Sequence, residues 1–265
     1  MTDLAALART WAVVPWRGRS GKRRLSGLLD DNERLRLVSA LLADVLDALL
    51  AVSEIERVAI VAPLGADADL ADEYRAATAD PRVVWLAERG VPAHADEQAG
   101  ASGESFGPVG LNAALRRAQA VADAKGVGRL AIVPADLPLL SADDVSALLS
   151  WRGATATDRQ NGSGGIARRV AIAPDATETG TNALLIEPPA ALAPSFGDDS
   201  FRAHLTQADQ RGLVSQVVRR PGLAFDLDTP ADLARLIASG AQGRAAMLVR
   251  DLRLAERLAV LAPCG

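Results

Sequence analysis

The sequence predicts an α/β fold built on a doubly wound, mostly parallel sheet. Short apolar, β-branched runs alternate with segments that repeat apolar residues every three or four positions, as buried strands alternate with helices. Hydrophobic residues make up 49% of the chain and aromatic residues only 3%. This composition favours helices packed closely on a parallel sheet over an aromatic-rich sandwich or propeller. Such sheets bind ligands at the carboxyl ends of their strands.

The predicted strands and helices alternate in order along the chain. Residues 10–15, TWAVVP, are short, apolar and β-branched and end in proline, as a buried first strand does. Residues 31–52 have helical periodicity, with Asp30 or Asp31 as the N-cap. The remaining predicted elements are, in order, strands at 57–63 and 82–88 with a short Ala- and Asp-rich helix between them, a long surface loop at 89–108, a helix at 109–125, a strand at 129–138 that runs into a turn, a helix capped by Ser141 and Asp144, a Gly- and Arg-rich segment at 159–169, strands at 170–175 and 182–188, a helix from Asp199, a strand at 214–218 and one amphipathic helix at 243–262.

Composition and motifs exclude several classes of function. The formal net charge of −4 provides no basic field for nucleic acid, and no apolar run is long enough for a signal peptide or a membrane span. The one cysteine, Cys264, permits neither an intrachain disulfide nor a cysteine metal cluster. We therefore expect a cytoplasmic protein without nucleic-acid or membrane partners. The loop after the first strand is not a Walker A motif, because Trp16 stands where that motif needs glycine. No Gly-x-Gly-x-x-Gly follows the first strand either, which argues against a nicotinamide-dependent dehydrogenase.

A cluster of basic residues follows the first strand, in the loop at the edge where doubly wound sheets bind ligands. Its members are Arg17, Arg19, Lys22, Arg23 and Arg24. Cations at this position suit a triphosphate, whereas a solvated basic loop is the alternative that a run of charge usually represents. The position directly after the first strand favours phosphate binding.

Acidic residues stand at the ends of two apolar segments. Asp136 ends the strand in PADLP, and Asp226 and Asp228 alternate along the extended chain of FDLDTPADL, so that their carboxylates share a face. Together these three acids could hold Mg2+ against phosphates. Asp136 by itself could equally cap a helix or a turn. For the other pair, the alternative is that Asp228 and Thr229 cap the helix that begins at Pro230, which leaves Asp226 unexplained.

A polar cluster lies in two pieces, at residues 179–182 and 196–200. Backbone N–H groups and hydroxyls there suit a phosphate or carboxylate, although a plain turn and an N-cap at Asp199 or Ser200 are the alternatives. His94 and His204 belong to no recognisable metal or nucleophile pattern, and we interpret both as incidental. A phosphate monoester, with a second pKa of about 6, attacks without a general base, so the scarcity of histidine is no obstacle to that chemistry.

Taken in order, these motifs resemble the phospholactate guanylyltransferase family of coenzyme F-420 biosynthesis, called CofC in archaea and FbiD in actinobacteria. The matching pieces are WAVVP, Lys22-Arg23-Arg24-Leu25, PADLPLL, PDATETGTNALL, SFGDDSFRAHL and FDLDTPADL, spread over residues 10–240. The resemblance implies a three-layer, glycosyltransferase-A-like nucleotidyltransferase (nucleotide-diphospho-sugar transferase) fold. It also implies transfer of GMP from GTP to 2-phospho-L-lactate, phosphoenolpyruvate or 3-phospho-D-glycerate, with release of pyrophosphate.

The resemblance also carries over to individual positions. It implies that the metal ligands are Asp136, Asp226 and Asp228, that the acceptor contacts are Thr181, Gly197 and Ser200, and that the triphosphate contacts are Lys22 and Arg24. We further assign Pro15, Arg17 and Asn112 to the nucleotide and Asn182 to the acceptor, with Lys22, Arg24 and Asp136 as the catalytic groups and Mg2+ as the cofactor.

The expected organisation is a nucleotidyltransferase domain at 1–240 and a C-terminal helical extension at 241–265. The extension is either an oligomer contact, as in a homodimer, or a helix docked on the domain. Two alternative functions remain. The protein could be another nucleotidyltransferase of the same fold, such as a molybdopterin guanylyltransferase or a sugar-phosphate nucleotidyltransferase, or it could be a non-catalytic nucleotide-binding module. Guanine preference and the identity of the phosphoacid rest on the resemblance alone.

Overall fold

Seven strands form one mixed sheet in the computed structural model, which describes residues 9–63, 65–88, 110–150 and 168–261. The strands are β1 (Thr10–Pro15), β2 (Ile55–Ala62), β3 (Val83–Ala87), β4 (Arg129–Ile132), β5 (Arg169–Pro174), β6 (Thr181–Glu187) and β7 (Val214–Val217). Their order across the sheet is β3-β2-β1-β4-β6-β5-β7. β6 pairs antiparallel with β4 and β5, while the other pairs are parallel. The mixed, mostly parallel sheet predicted from the sequence is confirmed.

Helices cover both faces of this sheet and build the three predicted layers. The helices that the structure describes are α1 (Asp31–Leu50), α2 (Leu111–Ala124), α3 (Ala142–Leu149), α4 (Ser200–Gln210), α5 (Pro221–Ala224), α6 (Pro230–Ala238), α7 (Arg244–Asp251) and α8 (Leu254–Leu261). Side chains alternate between the faces along each strand. Val14 of β1 therefore packs with α1 and α3, whereas Val13 packs with α2 and α4. No helix in the described parts of the chain combines the length and the apolar character needed to cross a membrane.

Local caps begin two of the helices where the sequence predicts them. The Asp30 carboxylate accepts a hydrogen bond from the Glu33 backbone N–H, and the Glu33 carboxylate accepts one from the Asp30 backbone N–H, which completes a capping box. Ser141 and Asp144 form the same reciprocal pair at the start of α3. These contacts satisfy N–H groups that a helix leaves unpaired.

Three elements differ from the sequence prediction. The helix expected between β2 and β3 is instead a pair of 3-10 turns, Ala66–Asp69 and Asp72–Thr78, since this stretch has no continuous apolar stripe. The single tail helix predicted at 243–262 is wrong: α7 and α8 are separate, with Arg253 left-handed at φ 51° between them. The break turns Leu254 into the cluster that α7 forms with α1 and α6, where it is fully buried. The short helix α5 was not predicted.

Some predictions lie outside the described residues. These are the surface loop at 89–108 and most of the Gly- and Arg-rich segment at 159–169. The division of the chain at residue 240 stays a prediction. The tail itself packs on the domain, because α7 contacts α1 along one face.

The Asp44 carboxylate on α1 anchors the tail. It accepts hydrogen bonds from the backbone N–H groups of Arg244 and Ala245 at 2.7 and 2.9 Å, and so caps the first turn of α7. Gly243 precedes this turn, where a Cβ would approach the Asp44 Oδ2 atom to 2.8 Å. A side chain from α1 therefore replaces the local cap that residue 243 cannot supply.

We expect Asp44→Ala to lower the free energy of unfolding by about 1–2 kcal/mol, because two N–H groups of α7 lose their acceptor. Urea denaturation measures the change. Asp47→Ala is the matched control: it removes only the exposed ion pair between Asp47 and Arg244, which should cost at most about 1 kcal/mol. Equal losses in the two variants would show that capping by Asp44 does not anchor the tail.

Candidate active site

A cavity of about 520 Å³ opens where β1 and β4 end at their carboxyl edges. This is the position at which α/β sheets bind ligands. Its walls come from the loop after β1, from α1, from the start of α2, from the segment after β4, from the start of β6, and from the segments that precede α4 and α6. The lining residues are Pro15, Trp16, Arg17, Gly18, Ser20, Gly21, Lys22, Arg23, Arg24, Val38, Leu41, Leu111, Pro134, Ala135, Asp136, Asn182, Phe196, Asp226 and Asp228.

The loop after β1 is folded tightly against α1. Trp16 is buried, donates from Nε1 to the Val38 carbonyl at 3.2 Å, and meets the ring of Trp85 edge-on at 5.6 Å. From this anchor the chain forms two 3-10 turns, Gly18–Ser20 and Arg23–Leu25. Lys22 joins them with φ 53°, a left-handed conformation that costs a non-glycine residue about 1–2 kcal/mol. Such strain is found at sites where a side chain must be aimed.

The Lys22 side chain is aimed between two carboxylates. Its Nζ atom lies 2.7 Å from Asp136 Oδ2 and 2.6 Å from Asp228 Oδ1, and only 8% of the side chain is exposed. Burial on its own would lower the pKa of Lys22, but the charges of Asp136 and Asp228 outweigh it and raise the pKa above its usual value. Lys22 is therefore fully charged throughout the neutral range.

Asp226 and Asp228 share a face of the chain, as their spacing predicts. Phe225 before them and Leu227 between them are buried, while both acids line the cavity. The Leu227 backbone N–H donates to the Asp136 carbonyl at 3.0 Å, which brings the segment after β4 beside the segment before α6. Asp226 also accepts a hydrogen bond from the Asn182 amide at 3.3 Å.

The environment of Asp226 disfavours the ionised form of its side chain. Burial raises the pKa of Asp226, the Asn182 hydrogen bond opposes that rise, and the neighbouring charges of Asp136 and Asp228 add to it. A cation beside the three acids would relieve this cost.

Helix capping accounts for Thr229 but not for Asp228. The cap of α6 is a reciprocal box between Thr229 and Asp232, in which the Thr229 hydroxyl accepts from the Asp232 N–H. The Asp228 side chain takes no part in that box and instead contacts Lys22. The alternative interpretation of Asp228 as a cap is therefore not needed.

A metal ion would have to share this site with Lys22. Among the described residues, no three His, Cys, Asp or Glu side chains are grouped closely enough to hold one ion by themselves. Mg2+, however, is usually bound by one or two carboxylates, with substrate phosphates and water completing its shell. The hard oxygen donors fit that requirement, and the Lys22 ammonium already stands where a cation lies between Asp136 and Asp228.

The arginines of the loop fall into two groups. Arg17, Arg23 and Arg24 line the cavity, and none of them pairs with a carboxylate in the part of the chain that the structure describes. Arg19 instead pairs with Asp69 at 2.9 Å on the outer surface. Unpaired guanidinium groups at the mouth of the cavity suit a polyanionic ligand.

The predicted acceptor residues lie together beside the cavity. The Thr181 N–H donates to Ser200 Oγ at 2.9 Å, and the Ser200 N–H donates to the carbonyl of Gly197, which has φ +136°. Of the predicted acceptor set, Asn182 lines the cavity directly. Asp199 occupies the N-cap position of α4, yet its side chain caps nothing. The N-cap alternative therefore does not explain Asp199.

The side chain of Asn112 is engaged by the backbone of Phe196. Its Nδ2 atom donates to the Phe196 carbonyl, and its Oδ1 atom accepts from the Phe196 N–H, both at 2.8 Å. Asn112 itself does not line the cavity, so its assignment to the nucleotide stays a prediction. The sequence analysis missed Trp16 as a cavity residue, and the signal for it was its place directly after β1.

Comparison with solved structures identifies the fold. The structure resembles a candidate nucleotide-diphospho-sugar transferase from Desulfovibrio desulfuricans G20, with a TM-score of 0.65 at 16% identity over 95% of this chain and 97% of that one. It also resembles 4-diphosphocytidyl-2C-methyl-D-erythritol synthase from Anaerococcus prevotii, with a TM-score of 0.50 at 11% identity over 84% of this chain and 94% of that one. The chain therefore has the α/β fold of nucleotide-diphospho-sugar transferases.

Sequence comparison identifies the family. Residues 70–259 match the family described as guanylyl transferase CofC like. The chain is 40% identical over 231 residues to the phosphoenolpyruvate guanylyltransferase of Rubrobacter xylanophilus, which covers 87% of this chain and 94% of that protein. It is 31% identical over 247 residues to the 3-phospho-D-glycerate guanylyltransferase of Phenylobacterium zucineum, and this match covers 91% of this chain and 96% of that protein. The protein belongs to the CofC-like guanylyltransferase family and is a nucleotidyltransferase.

Proposed function

We propose that this enzyme transfers GMP from GTP to a small phosphorylated carboxylic acid and releases pyrophosphate, with Mg2+ as cofactor, in the cytoplasmic biosynthesis of coenzyme F-420. The observation that carries the proposal is the cavity that brings Lys22 and three carboxylates together beneath unpaired arginines. A nucleoside triphosphate needs cations for its phosphates, and catalysis of phosphoryl transfer consists mainly of positioning and charge neutralisation.

Each part of the cavity has a separate task in this reaction. Arg17, Arg23 and Arg24 stand at its exposed mouth, where they bind the β- and γ-phosphates. Lys22 lies deeper, and its ammonium neutralises charge that develops as pyrophosphate departs. The acids Asp136, Asp226 and Asp228 would hold Mg2+, which when bound supplies a Lewis acid on the phosphate oxygens.

The acceptor supplies the nucleophile, so the enzyme needs no general base. A phosphate oxygen of the acceptor forms a bond to the α-phosphorus of GTP. The bond from that phosphorus to the oxygen bridging it to the β-phosphorus breaks, and pyrophosphate leaves with the electron pair. No proton has to move at the attacking oxygen, because the phosphate monoester is largely a dianion above its second pKa of about 6. The enzyme must only hold two anions together, which the basic loop makes favourable.

The names of the more similar relatives support phosphoenolpyruvate as the acceptor of this enzyme. Relatives named phosphoenolpyruvate guanylyltransferase are 40% and 38% identical to the chain, against 31% for the one named for 3-phospho-D-glycerate. These candidate acceptors, with 2-phospho-L-lactate, share a phosphate and a carboxylate on a three-carbon skeleton. The hydroxyls of Thr181 and Ser200 and the amide of Asn182 offer such a group hydrogen bonds. A homodimer stays a prediction.

Pyrophosphate release tests the proposal. The purified enzyme is incubated with Mg2+ and GTP, in parallel reactions with phosphoenolpyruvate, 2-phospho-L-lactate, 3-phospho-D-glycerate or no acceptor, and each product is identified by mass. We expect release that depends on the acceptor and is fastest with phosphoenolpyruvate. CTP and ATP in place of GTP test the base. Folded enzyme that releases nothing with any of the three acids would overturn the proposal, and release with a sugar phosphate would assign a different acceptor.

A further inference from the structure

His204 is completely buried on α4, and both of its ring nitrogens are hydrogen bonded. Its Nε2 atom accepts from the Ser195 backbone N–H at 3.0 Å. A ring nitrogen that accepts carries no proton, so the proton of the neutral imidazole is on Nδ1. Burial lowers the pKa of His204 to about 4, against a smaller opposing effect of a hydrogen bond with the Ser200 backbone. His204 is therefore neutral at physiological pH.

The position of this proton decides what the Thr181 hydroxyl can do. His204 Nδ1 lies 2.9 Å from Thr181 Oγ1, and because Nδ1 carries the proton, Oγ1 is the acceptor. The proton of the Thr181 hydroxyl is then turned away from the ring. Within the described part of the chain, no acceptor is hydrogen bonded to it. The hydroxyl therefore keeps one donor for a ligand.

The Ser200 hydroxyl also accepts a hydrogen bond from the protein and keeps its own proton free to donate. Its Oγ atom accepts from the Thr181 N–H at 2.9 Å, and within the described residues its hydroxyl donates to no acceptor. Thr181 and Ser200 thus form a hydroxyl pair in which both oxygens accept from the protein and both protons remain to be donated. Phosphate and carboxylate groups at neutral pH accept hydrogen bonds and, apart from a monoprotonated phosphate, donate none. Such a pair suits an anion.

The segment that adjoins this hydroxyl pair is held from two sides. Residues 195–200 form the last part of the connection from β6 to α4. The His204 ring accepts a hydrogen bond from the Ser195 N–H, and the Asn112 side chain is hydrogen bonded to both the N–H and the carbonyl of Phe196. The rings of Phe196 and His204 also meet edge-on at 5.3 Å. Asn182 and Phe196 line the cavity; Thr181 directly precedes Asn182, and Ser200 follows Phe196 by four residues, so the hydroxyl pair lies beside the cavity wall.

We propose that His204 is a positioning residue for the phosphorylated acid: its Nδ1–H orients the Thr181 hydroxyl to donate to an anionic group of the acceptor, while Nε2 holds Ser195. The inference rests on the proposed function, because it names the acceptor whose anion the hydroxyl serves. His204 touches neither substrate and moves no proton. It acts through Thr181.

Variants of His204 test this role by their effect on each substrate separately. His204→Leu removes both hydrogen bonds, whereas His204→Asn keeps an amide N–H near the position of Nδ1. We expect His204→Leu to raise KM for the acceptor by about 10- to 100-fold, as for a lost hydrogen bond to a charged group, with KM for GTP within about twofold of wild type. His204→Asn should recover most of the acceptor affinity. Circular dichroism and thermal melting confirm folding.

Two further variants separate orientation of Thr181 from a general packing effect. Thr181→Val should raise the acceptor KM like His204→Leu, and combining the two should add little, because they act on one hydroxyl. Gln207→Ala is the matched control, since Gln207 lies on the same helix and donates to the Ser195 side chain at 2.7 Å without contacting Thr181. Its acceptor KM should stay within about twofold of wild type.

The outcomes distinguish the inference from the proposed function. Wild-type enzyme that transfers nucleotide to no phosphoacid contradicts the proposed function, and this inference with it. An active wild type whose acceptor KM is unchanged in His204→Leu, or rises equally for GTP, overturns the role of His204 alone. If His204→Leu does not fold, the Asn variant decides: an acceptor KM as high as that of Thr181→Val would overturn orientation by Nδ1–H.

Discussion

Replacing Asp226 by asparagine is expected to lower kcat by about a thousandfold, the largest effect predicted for this enzyme. The change removes the charge and keeps the shape of a side chain that lies beside Asp136 and Asp228 in the cavity. Loss of a metal-holding carboxylate removes several kcal/mol of charge stabilisation in the transition state, and each 1.36 kcal/mol is tenfold in rate. The Mg2+ concentration for half-maximal rate should rise as well.

Asp226→Asn should leave the fold intact. The pKa of Asp226 is raised by burial, so the ionised form is less favourable in the folded protein than in the unfolded chain at neutral pH. Removing the charge therefore removes a destabilising effect, and the melting temperature should not fall. Asp209→Asn is the control, because Asp209 is an exposed acid on α4 outside the cavity. Turnover of Asp226→Asn within about fivefold of wild type at saturating Mg2+ would contradict the assignment.

Lys22→Met is expected to lower kcat by about a hundredfold or more and to weaken GTP binding, because the ammonium that neutralises the triphosphate is lost. The structure adds a second expectation that does not depend on turnover. Lys22 Nζ lies within 2.7 Å of Asp136 and Asp228, so in the nucleotide-free enzyme it competes with any other cation for these carboxylates. Without it, binding of Mn2+ to the free enzyme should tighten by about tenfold.

The stability of Lys22→Met should depend on metal more than that of the wild type. Removing one member of a largely buried ion pair leaves its partners uncompensated, so the variant should melt at a lower temperature without divalent cations and recover when Mn2+ is added. Calorimetry and thermal melting measure the two effects. Arg19→Met is the matched control from the same loop, since Arg19 pairs with Asp69 at the surface. Metal binding by Lys22→Met no tighter than by Arg19→Met would show that Lys22 does not occupy a cation position.

Local sequence patterns predicted most of the elements correctly, because the interactions that form them lie within a few residues. The apolar run of β1, the helical periodicity of α1 and the capping boxes at Asp30 and Ser141 are all of this kind. The alternation in FDLDTPADL likewise placed Asp226 and Asp228 on one face. Where local signals were weak, the predictions were wrong, as for the Ala- and Asp-rich stretch before β3 and the single tail helix.

Contacts between distant parts of the chain were invisible to the same patterns. The reversed direction of β6, the hydrogen bond from Leu227 to Asp136 and the insertion of Lys22 between two acids more than a hundred residues away each depend on the packed fold. His204 shows the difference most plainly. As a lone histidine it looked incidental, whereas its burial and its two hydrogen bonds make it a positioning residue in our proposal. Spacing along the chain determined which residue types reach the sheet edge, and only tertiary packing, which brings together groups far apart in sequence, decided which of them touch.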